Sequence, residues 1–176
     1  MNIFTWQTGT PVTVLLGGVA SDNGTGANFS LRPNITGNPN LGICGGSPAA
    51  YFNTLVFSLP TDASNNLTYG NEPRGAVEGP CQISWNGSLA KTFRFGPEQR
   101  HIVNVAWQVQ NLTNTPNFTG LGSVLPCFAS ASGRSGTGTA AGIVCGLGAG
   151  TGSSFFGRVT GAGSMRTMAL MVRFNY

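Results

Sequence analysis

The chain has 176 residues, enough for one domain with a sizeable core. Only 8% of its residues are charged and the net charge is +4, against roughly 25% charged in soluble globular proteins. No run of ~18 apolar residues provides a transmembrane helix, and the nine basic residues form no cluster that would track a phosphate backbone, so nucleic acid is not an expected partner.

Low charge without a long apolar run fits an all-β protein whose apolar residues alternate with uncharged polar ones. The 27 glycines point the same way, since glycine costs ~1 kcal/mol in a helix interior relative to alanine. The opening MNIFTWQTGTPV has neither a basic n-region nor a long apolar h-region and is not a secretion signal. An extracytoplasmic chain needs one, so Met1 is expected to be a processing or fragment boundary.

Residues 3–16 read as a first extended segment, interrupted at Gly9-Thr10-Pro11. Residues 17–50 are turn chemistry, rich in Gly, Asn and Pro. Residues 51–59, YFNTLVFSL, form a short apolar run before Pro60, a brief strand or a helical turn. Turn chemistry resumes over 60–80.

Residues 82–95 alternate strictly. Ser84, Asn86, Ser88, Ala90, Thr92 and Arg94 share one face, and Trp85, Gly87, Leu89, Lys91, Phe93 and Phe95 the other. After Gly96-Pro97-Glu98-Gln99, residues 100–110 alternate in turn, which predicts a hairpin. Residues 111–163 read as a long loop with a glycine-rich middle. Residues 164–176 form the last strand, with Met168, Leu170, Val172, Phe174 and Tyr176 on its apolar side. The domain expected from this is a single antiparallel β unit over 1–176, its long loops at 17–80 and 111–163.

The cysteines stand at 44, 81, 127 and 145, none in C-x-x-C, and the single histidine, His101, lies in a strand, so neither a zinc site nor another metal site is expected. An even count in a Gly/Asn-rich chain suggests two disulfides. Sequence alone permits three pairings. Cys44 with Cys81 and Cys127 with Cys145 each bracket one loop region and are preferred, with free thiols as the alternative.

No Ser or Cys nucleophile has an adjacent base, and Asp22, Asp62, Glu72, Glu78 and Glu98 form no pair at strand spacing. GAGTGSS at 148–154 lacks the lysine and helix of a phosphate loop. Neither catalysis nor a cofactor is expected, and Arg74 reads as an ion-pair partner of Glu72 or Glu78. Seven N-x-[ST] sequons, at Asn23, Asn28, Asn34, Asn66, Asn86, Asn111 and Asn117, are candidate glycosylation sites or, alternatively, Asn- and Thr-rich loop chemistry.

YGNEPRG, the Gly79-Pro80 step, ISWNGSLAKTFRF, VAWQVQNLTNTPNF, FGRVTGAG and the terminal aromatic strand together resemble the C-terminal end of TonB-dependent outer-membrane receptors. The similarity is to the large subgroup with a carboxypeptidase-regulatory-like N-terminal domain. Its motifs fall here at Tyr51 to Asn53, Gly70 to Pro80, Lys91 to Phe93, Asn111 to Phe118 and Phe156 to Thr160. The loop from Leu121 to Ser154, with Cys127 and Cys145, departs from the pattern, and the plug, the TonB box and most of the barrel are absent from these residues.

The resemblance implies a bacterial outer-membrane or extracellular location, and strands with one face toward lipid and the other toward a lumen. It implies aromatic girdles from Trp85, Phe93, Phe95 and Trp107, a periplasmic turn at 96–99, and a barrel-assembly signal in Leu170, Val172, Phe174 and Tyr176. Four strands cannot close a membrane barrel, for which about eight are needed. The expected partners are the rest of a barrel, outer-membrane lipid, or further copies of the chain. The alternative function is a subunit of an extracellular β-rich filament or surface layer built by inter-subunit strand pairing.

Overall fold

The alternating, Trp- and Phe-rich runs of the chain become long strands in the computed structural model, which describes residues 1–18, 31–129, 143–145 and 155–176. In chain order the strands are β1 (Asn2–Gln7), β2 (Pro11–Val12), β3 (Leu15–Leu16), β4 (Asn34–Ile35), β5 (Phe57–Ser58), β6 (Val77–Glu78), β7 (Gln82–Phe95), β8 (His101–Gln110), β9 (Phe118–Leu121), β10 (Val124–Leu125), β11 (Cys127–Ala129), β12 (Ile143–Cys145), β13 (Val159–Ala162) and β14 (Thr167–Asn175). Among the described residues the only helical elements are short 3₁₀ turns. The ladders β1–β7, β7–β8, β8–β14, β2–β6, β4–β5 and β11–β12 are antiparallel, and β3–β10 is parallel.

Contacts gather in two units. The first comprises Met1–Gln7, Cys81–Phe118 and Ala162–Tyr176. It is a four-stranded antiparallel sheet in the order β1-β7-β8-β14. β7 and β8 are joined by a tight turn in which Gly96 (φ 87°), Glu98 (φ 59°) and Gln99 (φ 56°) take left-handed backbone. A Cβ on Gly96 would sit 2.7 Å from the His101 ring, so glycine is required there. β1 and β14 are the sheet edges, each with one side lacking a strand neighbour among the described residues.

The second unit comprises Thr8–Pro80 and Thr119–Gly161. Its strands are two to four residues long and pair as β2–β6, β3–β10, β4–β5, β11–β12 and β9–β13. They surround a core of Val14, Leu16, Leu31, Tyr51, Phe52, Phe57, Val77, Leu125, Cys127 and Phe156. Phe52, Phe57 and Phe156 meet edge to face, their centroids 5.2 to 5.8 Å apart. The segment 51–59 is a 3₁₀ turn at Thr54–Val56 followed by β5, and Asn53 Oδ1 caps the turn by accepting from the Leu55 N–H.

Two expectations are corrected here. The segment 3–16 is not one strand: β1 ends at Gln7, and β2 and β3 pair elsewhere. The break follows from Gly9, whose backbone passes so close to Gly79 that a Cβ would overlap the Gly79 carbonyl. The long loops are not free of structure either, since they supply the second unit's short strands and its core.

Candidate membrane-facing surface

Cross-strand register assigns each residue of the sheet to a face, because directly opposed residues project to the same side. One face is apolar. Its rows read Phe95–His101, Phe93–Val103–Phe174, Lys91–Val105–Val172, Leu89–Trp107–Leu170, Asn2–Gly87–Val109–Met168, Phe4–Trp85 and Trp6–Ile83. The other face carries Thr5, Gln7, Gln82, Ser84, Asn86, Ser88, Thr92, Arg94, Asn104, Gln108, Gln110, Arg173 and Asn175, with Ile3, Ile102, Ala90, Ala106, Ala169 and Met171 among them. On it Thr92 Oγ1 donates to Asn104 Oδ1 at 2.7 Å across the β7–β8 pair.

The apolar face is uncovered. Phe4 is 65% exposed, Leu89 69%, Leu170 69% and Phe174 54%. A water-facing sheet would bury such a surface, since exposed apolar patches of this kind mark interaction or membrane sites.

The aromatics group at the two ends. At the turn end, Phe95, His101, Phe174 and Tyr176 form a chain of tilted and stacked rings with centroids 5.6 to 6.2 Å apart. At the other end stand Trp85, Phe4 and Trp6. Trp85 and Phe95 are ten residues apart on β7. At ~3.3 Å per residue and a strand tilt of about 45°, that spans about 23 Å along a membrane normal, close to the ~25 Å apolar band of outer-membrane barrels.

The register separates the four aromatics expected in girdles. Trp85 and Phe95 stand at the ends and Phe93 one row inside. Trp107 lies opposite Leu89 and Leu170, three rows from the Phe95–His101 row. In the terminal strand Leu170, Val172 and Phe174 project to the apolar face, and Tyr176 stacks on Phe174.

The sequon asparagines do structural work. Asn117 replaces a strand: its Oδ1 accepts from the Ile83 N–H at 2.7 Å and its Nδ2 donates to the Ile83 carbonyl at 2.8 Å. Asn111 takes φ 53°, receives the Thr115 N–H on Oδ1, and donates Nδ2 to the Thr115 carbonyl at 2.9 Å. Its own N–H donates to Asn86 Oδ1 at 3.0 Å. A glycan attaches through Nδ2, and in Asn111 and Asn117 that atom is committed to backbone. Asn34 Oδ1 accepts from Asn71 N–H, and Asn66 Nδ2 donates to Asp62. The Asn66 and Ser64 hydrogen bonds hold the exposed Asp62 carboxyl below its usual range. Asn23, Asn28 and the segment 148–154 lie outside the described residues.

Cys127 and Cys145 are bonded to each other, as partners in the β11–β12 ladder with Cα atoms 4.1 Å apart. Cys44 and Cys81 are disulfide-bonded as well, so the structure holds two disulfides.

Glu72, in the GNEPRG segment, is buried. Its Oε1 accepts from the Val14 N–H at 3.1 Å, and its carbonyl accepts from Arg32 Nη1 at 2.6 Å. Burial pushes its carboxyl upward, and the Val14 hydrogen bond and the Arg32 charge partly offset that. The expected pairing with Arg74 is corrected: Arg32 is the cation whose field Glu72 feels, and Arg74 is exposed.

Neither a curated protein nor a solved structure matches the chain. A family model described as the outer membrane beta barrel domain matches residues 1–169. Together with the uncovered apolar face and its aromatic ends, that match establishes that the chain belongs to the outer membrane β-barrel domain family, whose place is the bacterial outer membrane.

Proposed function

We propose that the chain is the C-terminal barrel segment of a TonB-dependent transport receptor and has no catalysis of its own. The observation that carries this reading is the four-stranded sheet, apolar and aromatic on one side and polar on the other, with each edge strand lacking a second strand neighbour among the described residues. In lipid an open edge leaves backbone groups unsatisfied, so β1 and β14 take further barrel strands as partners. The apolar face meets lipid, the polar face lines the lumen, and Leu170, Val172, Phe174 and Tyr176 form the strand that the barrel-assembly machinery reads. On this reading the long loops before and after the β7–β8 hairpin are extracellular, and the Cys127–Cys145 disulfide forms in an oxidising compartment.

Uptake of a panel of solutes by cells with the full-length protein, cells without it and cells without TonB tests the transport role. A solute whose accumulation falls in both deficient strains is expected; a panel unaffected by either loss refutes it. The same open edges favour a second reading, a filament subunit assembled by strand pairing between copies. Electron microscopy of the purified chain separates the two. Fibres formed without detergent support the filament, and monodisperse particles that bind detergent exclude it.

A further inference from the structure

The apolar face holds one charged side chain that the transport reading does not use. Lys91 is the chain's single lysine. It is exposed, lies between Leu89 and Phe93 on β7, and is opposed by Val105, itself opposed by Val172. Arg94 and Arg173 project from the other face. Glu98 is the only carboxylate side chain in this unit, and it pairs with Arg100 in the turn at 2.8 Å. The sheet therefore offers Lys91 no counter-charge.

Lys91 stands four residues from Phe95, about 13 Å along the strand and about 9 Å below the turn-end aromatics at a 45° tilt. A cation there leaves hydrocarbon by laying its stem along the strand toward the nearer interface, past Phe93. Its neighbours on this face in the same and adjacent rows, Leu89, Phe93, Val103, Val105, Trp107, Leu170, Val172 and Phe174, are aliphatic or aromatic. They suit acyl chains.

We propose that Lys91 is a binding site for an anionic phospholipid of the leaflet at the turn end. Its ammonium holds the phosphate, and Leu89, Val105 and Val172 pack the acyl chains. The proposal rests on the apolar face lying in lipid, and the test separates the two.

The full-length protein and its Lys91→Gln and Lys91→Arg variants are folded into nanodiscs of mixed phosphatidylcholine and phosphatidylglycerol. Alkaline-carbonate-resistant membrane association is read first, and its absence defeats the membrane placement and the site together. Native mass spectrometry then counts retained phosphatidylglycerol. The expected result is a roughly fivefold loss in Lys91→Gln, the size of one lysine's attraction to an anionic membrane surface, with retention in Lys91→Arg. Equal retention in all three defeats the lysine site alone. Displacement of the lipid by inorganic phosphate identifies a free-anion site, and loss of a bound acidic protein in Lys91→Gln identifies a protein contact. Either overturns the lipid assignment.

Discussion

Arginine placed at two adjacent residues of β14 separates a lipid-facing sheet from one that stands in water. Leu170 is 69% exposed and shares a row with Trp107 and Leu89. That row lies six residues from Phe95, about 14 Å below the turn-end aromatics at a 45° tilt, and so near the middle of a ~25 Å band. Leu170→Arg is expected to cost ~2–4 kcal/mol, the range for arginine on the lipid face of a barrel at the bilayer midplane. Ala169 projects to the opposite face, in line with Gln108 and Ser88. Ala169→Arg joins a polar surface that already holds Arg94 and Arg173 and should stay within ~0.5 kcal/mol. Urea unfolding of the full-length protein in phospholipid vesicles, followed by heat-modifiable mobility on gels, measures both. Equal costs at the two positions, or a larger cost at 169, would refute the assignment of faces; two small costs would place the sheet in water.

Four further outcomes follow from the loops and the second unit. Asn117→Ala removes both side-chain bonds to the Ile83 backbone and should lower stability by ~1–3 kcal/mol in the same urea experiment. Intact mass of the mature protein should show Asn111 and Asn117 unmodified, and a hexosamine adduct at either would contradict the hydrogen bonds of Nδ2. Alkylation without reductant should mark none of the four cysteines, and Cys127→Ser with Cys145→Ser should cost about 3 kcal/mol, the value for closing a loop of this length. Glu72 has a carboxyl raised above the ordinary 4.5, so the folded state holds its proton more tightly than the unfolded. Its contribution is most favourable below 4.5 and is lost as pH rises through the raised value; thermal unfolding against pH should show that slope in the wild type and not in Glu72→Gln.

The sheet was legible because a period of two survives in sequence wherever two solvents meet one strand. From Trp85 to Phe95, and from Met168 to Phe174, parity alone assigns the face of each residue. It does not assign depth. Trp107 has the right parity for the apolar face, yet its place midway between the aromatic ends depends on the β7–β8 register, which the left-handed turn at Gly96, Glu98 and Gln99 sets. The second unit was not legible for a different reason. Two-residue strands have no period, and its core joins Val14, Phe52, Leu125 and Phe156 across more than half the chain. The asparagines read as sequons show the same limit. That Asn117 stands in for a strand beside Ile83 is a tertiary fact, although a stretch rich in Asn just past the end of a strand, with two residues at positive φ, is the local trace it leaves.

The two units obey opposite rules of burial, and that opposition argues most directly for a barrel. The second unit is built for water: its aromatics Tyr51, Phe52 and Phe156 are at most 2% exposed. The sheet leaves Phe4, Trp6, Leu89, Leu170, Phe174 and Tyr176 half or more exposed. At ~25 cal/mol per Å² of apolar surface, such a face is untenable in water and unremarkable in hydrocarbon. Lipid solves the face but sharpens the edges, because the groups along β1 and β14 that water would satisfy cannot be satisfied there. On the proposed reading, apolar face and open edges share one solution, further strands that continue the same alternation until the sheet closes. The ten residues between Trp85 and Phe95 set how tall each of those strands must be.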